Sequence, residues 1–416
     1  MKQLRGRQAI GVISGVSEHN FSADVRAGMN LPKKVTVSDL TLREGRQLEG
    51  VILSTDEFIR IARQLEELGV PMIQTHYDLD HLRALSKLKP KMRVEVFSAG
   101  PGRPTFTMES SKESIKKVVD LGFEVIIPFA LATPRLKAVA AMHKLKDKKI
   151  ESLKKREIDL AVELIQFTKS LGGKMNVNMQ DFMRCELDYL EVFCRALSAA
   201  GIGVIVLDDI AGPSLPSVYK YCTARAKKAA PKATFGIHVH NDFALGLPGV
   251  LGAFEAGAEV LECGINGFGE RGGHADTAQL AIILEFLYGY DTGIHLEKLT
   301  ETSRVIADVL RQPLLSSHPV VGANAFSDVS DAHWTFPDNP WITASLEPEV
   351  VGNKRRPIFG ERFGPFGLRI KAKELGINIP DSKIGVVTQG LREQMRWAKR
   401  PLTDDEVKAA MERGLK

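Results

Sequence analysis

The sequence predicts an α/β protein: a closed (β/α)8 TIM barrel followed by small α-rich C-terminal subdomains. Three observations predict it. Short β-rich runs alternate with longer amphipathic stretches from residue 34 to 290, the signature of a parallel sheet. Eight strand-helix units in about 255 residues match the usual size of a closed barrel better than an open doubly wound sheet. No G-x-G-x-x-G turn follows the first strand, which counts against a dinucleotide-binding sheet.

The strands are expected at 34–42, 72–76, 93–98, 124–129, 174–181, 203–208, 234–240 and 260–266. Between the first two, Phe58, Ile59, Ile61, Ala62, Leu65 and Leu68 make the apolar face of a helix over 55–68 that Gly69 ends. Segments 151–171 and 187–200 read the same way. The chain therefore divides into an N-terminal extension (1–33), the catalytic barrel (34–290), a linker with a first subdomain (291–345) and a helical second subdomain (346–416). Pro and Gly punctuate 312–340, and short helices are expected at 371–376, 386–397 and 404–414.

A composition of 44% hydrophobic and 26% charged residues is that of a soluble globular protein. The N-terminus has no apolar run suited to a signal sequence, and no stretch reaches the roughly 18 apolar residues of a membrane span. A cytoplasmic protein without membrane partners is expected. Cys185, Cys194, Cys222 and Cys263 lack metal-ligand spacing and read as reduced thiols. The net charge of +5 is small, and the basic clusters have no aromatic interleaving, which excludes a nucleic-acid binder. An anionic metabolite or a CoA thioester is compatible.

In such a barrel the active site lies at the C-terminal ends of the strands. That rule nominates Arg43 and Glu44, Gln74 and His76, Asn178, Gln180 and Asp181, and Asp208 and Asp209. It also nominates His238, His240, Asn241 and Asp242, then Asn266, Glu270 and Arg271. Strand alternation puts His238 and His240 on one face, the barrel interior, with Val239 on the other. Two imidazoles and a carboxylate make an N/O site for a divalent cation (Zn, Mn, Fe, Co or Mg), and Glu44, one strand removed, is the natural third ligand. Alternatives stay open. An isolated His-x-His pair can be two half-buried, hydrogen-bonded histidines. Arg43 can hold a developing oxyanion or be a solvated ion-pair arginine. Asp208 and Asp209 read first as caps of the following helix. Asn266 either orients a metal-bound water or simply makes a turn before glycine.

With these residues in hand, the chain resembles the DRE-TIM metallolyase superfamily, in its Claisen-condensing branch of homocitrate, 2-isopropylmalate and citramalate synthases. DLTLREGRQ (39–47) is similar to the strand 1 motif, IHVHND (237–242) to the strand 7 metal motif, and GINGFGERGG (264–273) to the strand 8 motif. Past the barrel, PVVGANAF (319–326) with Asp331, Ala332 and His333, and then GNKRRPIFGERFG (352–364), resemble the segments that follow in the synthases. The resemblance implies Glu44, His238 and His240 as metal ligands, and Asp242 and Asn266 are expected to support them. It implies Arg43 and Gln47 as active-site polar residues and His333 as the proton-transfer histidine. It also implies acetyl-CoA or another acyl-CoA and a 2-oxo acid as substrates, and a homodimer exchanging its C-terminal subdomains.

Departures cluster at the substrate end. The glutamate expected on strand 2 is Gln74, and the strand 5 glutamate that partners the histidine is Gln180, in NMQDFMR (178–184). An arginine for the oxo-acid carboxylate corresponds to Asn176, and a strand 6 threonine to Ile210. Gln is nearly isosteric with Glu but cannot ionise, so Gln180 cannot raise the basicity of His333. With His76 and Asn178, these positions are expected to set an altered substrate pocket. The alternatives are a metal-dependent carbon-carbon lyase or aldolase, and a non-catalytic metal-binding homologue. A hydroxymethylglutaryl-CoA lyase would carry a cysteine after strand 8, where Gly272, Gly273 and His274 stand here.

Overall fold

Strand β1 (Thr36–Asp39) is hydrogen-bonded on one side to β2 (Met72–His76) and on the other to β8 (Val260–Cys263), so the sheet closes on itself. Between them run β3 (Arg93–Phe97), β4 (Glu124–Ala130), β5 (Met175–Gln180), β6 (Val204–Asp209) and β7 (Thr234–Val239), all parallel and in sequence order. The computed structural model describes residues 16–98, 100–101, 106–210, 214–335 and 343–416. The first 15 residues of the expected N-terminal extension lie outside these, as do 336–342 of the Pro- and Gly-punctuated stretch.

A short helix α1 (Ala23–Arg26) precedes the barrel. The helices along it are α2 (Thr55–Leu68), α3 (Leu79–Leu88), α4 (Met108–Asp120), α5 (Thr133–Met142), α6 (Ile150–Ser170), α7 (Leu187–Ala200), α8 (Pro216–Ala229), α9 (Gly246–Glu255), α10 (Thr277–Ile282) and α11 (Leu299–Leu310). Helix α2 shows why the sequence sets its bounds. Ser54 and Glu57 form a reciprocal capping box at its start, and Gly69 ends it in the left-handed conformation. Phe58, Ile61, Leu65 and Leu68 are fully buried, each stabilising the fold by ~1.5–3 kcal/mol. Ile59, expected on that face, is only partly buried, because it lies at the margin of the apolar stripe.

Strands β1 and β8 are shorter than expected. The Asp39 carboxylate accepts the Thr41 N–H, and the Arg43 and Glu44 N–H groups both turn back to the Leu40 carbonyl. This turn ends β1 and delivers Arg43 and Glu44 to the rim. Strand β8 stops before Asn266, whose φ of 60° is left-handed. The four cysteines are free thiols, and among the described residues no helix is long and apolar enough to cross a membrane.

Contacts divide the chain into two units. Among the described residues, one comprises 18–295 and 302–313, and the other 16–17, 296–301, 314–335 and 343–416. The second carries a two-stranded parallel sheet of β9 (Ser327–Asp328) and β10 (Arg356–Pro357), with helices α12 (Pro365–Glu374), α13 (Asp381–Ala398) and α14 (Asp404–Leu415). Phe363, Leu368, Ile384, Val387, Leu391, Val407 and Met411 form its core. Helices α12 and α13 begin five or six residues earlier than expected. Pro365 occupies the first turn of α12 and Pro380 precedes α13, so these prolines start the helices.

Candidate active site

On β7, His238 continues the inward face of Gly236, while Val239 lies against Gly249 of α9 on the outside. The His238 and His240 rings are 4.9 Å apart, centroid to centroid, and both are buried. His238 Nδ1 lies 2.9 Å from Glu262 Oε2 on β8, and Nε2 has no partner among the described residues. His240 Nδ1 and Glu44 Oε2 are likewise buried and, among the described residues, unpartnered.

A third imidazole, unassigned by the sequence reading, joins them. His274 is buried, with its ring 5.8 Å from His238 and 6.4 Å from His240, and neither ring nitrogen has a partner among the described residues. It arrives because the loop after β8 folds back. His240 and His274 form an antiparallel bridge, and Asn241 N–H donates to the Gly273 carbonyl at 2.8 Å. The return requires Gly273, at φ 72°, where a Cβ would collide with the Gly267 carbonyl. The only sequence signal was the Gly-Gly-His run itself.

Buried polar atoms are ordinarily paired, so this cluster of orphaned nitrogens and oxygens marks a place for a ligand. Burial pushes the Glu44 carboxyl up, but Arg43 and the three histidines outweigh it and hold it at about 2. Burial pushes His240 and His274 down to about 3, so both are neutral donors. Burial alone would lower His238, yet the Asp208 and Glu262 carboxylates raise it. A carboxylate among imidazoles with free lone pairs suits a divalent cation by donor chemistry. Among the described residues, no three His, Cys, Asp or Glu side chains already form a cage.

Beside this cluster Arg43 is buried rather than solvated. Its Nη2 is 3.1 Å from Glu44 Oε1, its Nη1 donates to Gln74 Oε1 at 2.8 Å, and its guanidinium lies 4.0 Å above the Phe97 ring. Gln74, expected to contact substrate, is engaged inside the barrel. Its amide nitrogen donates to Glu95 Oε2 at 2.9 Å and to Glu262 Oε1 at 2.5 Å, so both ends are consumed inside the barrel. Asn176, also expected to contact substrate, is engaged in a similar way. It is the second residue of β5, far from the rim, where its amide donates to Glu95 and Glu124 and its oxygen accepts the Val204 N–H at 2.7 Å. Only a glycine at 203 leaves room for that oxygen.

Glu95 has a consequence for pH. Burial, reinforced by Glu262, pushes its carboxyl from 4.5 up to about 8. The folded state therefore holds a proton that the unfolded chain has released. This contribution is complete below the ordinary carboxylate range and is lost as pH rises through about 8. Unfolding free energy should fall between pH 5 and 8.5 by on the order of 2 kcal/mol, and Glu95→Gln should flatten that slope in urea titrations.

At the rim, the helix-cap reading of two aspartates is corrected. Asp209 accepts the Tyr219 hydroxyl and Asp208 faces inward near His238, so neither caps α8, which starts after Leu215. Asn266 does not face the donor cluster: Ser303 engages both ends of its amide. Asp242 forms a forked pair with Arg271, which also reaches the Ile210 carbonyl. His76 ends β2 edge-on to Phe97, Gln180 is half-buried at the end of β5, and Gln47 is exposed. Asn178 is fully buried beside Asp208. Two partly exposed arginines that sequence reasoning passed over, Arg135 and Arg184, both pair with buried Asp181 just past β5. His333 belongs to the second unit, where its Nδ1 lies 2.9 Å from Asp328 Oδ1.

A (β/α)8 barrel with a buried, part-orphaned histidine-carboxylate cluster at its C-terminal rim defines an enzyme of the barrel metallolyase class. The chain belongs to the HMGL-like family, whose signature matches residues 34–306. It is 33% identical to the 2-isopropylmalate synthase of Methanocaldococcus jannaschii, over 84% of this chain and 65% of that protein. It is 30% identical to the 2-isopropylmalate synthase of Saccharolobus solfataricus, over 91% and 96%, and 25% identical to a homocitrate synthase of Methanothermobacter thermautotrophicus, over 92% and 94%. These relatives set it in the Claisen-condensing branch. Among solved structures, the HMG-CoA lyase of Brucella melitensis shares the fold, with a TM-score of 0.56 at 15% identity, over 67% of this chain and 99% of that one.

Proposed function

We propose that this chain joins an acyl-CoA, acetyl-CoA or a close analogue, to a 2-oxo acid in a metal-dependent Claisen condensation that frees the CoA thiol. The observation that carries this reading is the set of unpartnered donors on Glu44, His238, His240 and His274 beside buried Arg43. Those four residues would hold the divalent cation (Mn, Zn, Mg, Fe or Co). When bound, it supplies Lewis acidity toward the acceptor's carbonyl. Arg43, fixed by Gln74 and Glu44, presents a guanidinium to the oxyanion that develops there. His333 receives the proton from the acyl donor's α-carbon.

Acceptor choice falls to groups remaining at the rim: His76, Asn178, Gln180 and Ile210, with Arg135 and Arg184 as the nearby cations. The chain works as a cytoplasmic homodimer exchanging C-terminal subdomains, which light scattering tests as a mass of twice 45.8 kDa. The direct assay supplies acetyl-CoA, Mn or Zn, and a panel of 2-oxo acids, and follows free thiol. Release with at least one acid is expected. Silence with every acid would sink the condensation reading and favour a non-catalytic role.

A further inference from the structure

We infer that Asp328 is the carboxylate that positions His333 for proton transfer, so that this chain carries its own His-Asp pair within the second unit and does not need an ionisable residue at 180. The inference rests on the condensation reading above for the identity of the reaction. It begins from a mismatch: Gln180 cannot ionise, yet a histidine that takes a proton from a thioester α-carbon needs a partner fixing its tautomer and balancing its charge.

The structure supplies one five residues away. His333 Nδ1 is 2.9 Å from Asp328 Oδ1. The other carboxylate oxygen is already engaged, by Arg355 Nη2 at 3.5 Å and the Thr343 hydroxyl at 3.3 Å, so Oδ1 is the oxygen turned to the imidazole. The arrangement is built rather than incidental. Arg355 lies 4.5 Å from the Trp334 ring centroid and reaches the His333 carbonyl at 3.3 Å, while Trp334 Nε1 donates to the Asp328 carbonyl at 3.1 Å. Two short elements, β9 and the turn Asp331–Trp334, are thus tied together so that residues 328 and 333 face each other. The His333 side chain is 42% exposed, and Nε2 carries no hydrogen bond among the described residues.

The reactants are the acyl-CoA donor, the 2-oxo acid acceptor and water. The donor's α-carbon to hydrogen bond breaks, its electrons pass into the thioester enolate, and the proton lands on His333 Nε2. Nδ1–H stays on the ring, donating to Asp328, whose charge offsets the imidazolium. As the enolate carbon bonds to the acceptor's carbonyl carbon, that oxygen becomes an alkoxide and takes the proton from His333 Nε2; water then adds to the thioester carbonyl, its hydroxyl staying on the acyl carbon and its proton leaving with the CoA thiol.

The experiment is Asp328→Asn and Asp328→Glu in the full chain, read by thiol-release kinetics and by ¹⁵N NMR of the His333 ring, assigned with His333→Gln. In the wild type the ring should be the Nδ1–H tautomer. Asp328→Asn, nearly isosteric, should lower kcat by about 10²–10⁴-fold with KM changed by less than about threefold, and Asp328→Glu should recover a sizeable part. A merely structural aspartate would not give this kcat-against-KM split with recovery in the Glu variant. A kcat for Asp328→Asn within about twofold of wild type, or ring signals that it does not move, would overturn the pair. If the wild type releases no thiol with any acid, the condensation reading fails, and the ring signals alone decide whether Asp328 orients His333.

Discussion

His240→Ala should remove bound divalent metal and lower thiol release by at least about 10³-fold, while leaving the fold nearly as stable as before. The two halves of this expectation have one cause. A ligand that fills the orphaned positions on Glu44, His238, His240 and His274 gains several donors at once, and deleting one imidazole from so small a set weakens the whole. Folding, by contrast, gains no hydrogen bond from His240 Nδ1 among the described residues, so no partner of that nitrogen is stranded by its loss. Metal content by elemental analysis, the thermal midpoint and the thiol assay separate these effects. Full metal occupancy in the variant would remove His240 from the ligand set. Equal losses in His274→Ala would establish the fourth member.

Gln74→Glu, which restores the residue the family resemblance expects, should destabilise the protein by about 3–5 kcal/mol rather than improve it. In this barrel the Gln74 amide nitrogen is the donor between two carboxyl groups, Glu95 and Glu262, while its oxygen takes a hydrogen bond from Arg43. A carboxylate there keeps the bond to Arg43 but loses both donated bonds and sets a third acidic group in a dry interior. Adding Glu95→Gln returns a donor and moves the carboxylate from β3 to β2. At least half of the lost stability should therefore return in urea unfolding of the double variant. If the single variant is as stable as the wild type, the interior network is not what fixes Gln74.

The same residues show which features were legible. Strand alternation has a period of two residues, so the common inward face of His238 and His240 follows from their spacing alone. The turn that carries Arg43 and Glu44 to the rim lies within a few residues of β1, and the bounds of α2 were readable because Ser54, Glu57 and Gly69 act locally. Eightfold repetition of strand and helix left little room for any other architecture.

What the sequence by itself determined, then, is whatever local chemistry decides: the barrel, its reactive rim, and the histidine pair facing inward. Tertiary structure alone decided depth and partnership. Asn176, Asn178 and Gln180 share one face, but the closure of the barrel sets Asn176 deep against Glu95 and Glu124 and leaves Gln180 at the mouth. His274 joins the donor cluster because a loop far along the chain bends back at Gly273 onto His240. Gln74 is consumed by carboxylates contributed by β3 and β8. Each of these depends on residues brought together by closure, whose separation along the chain carries no local period to read.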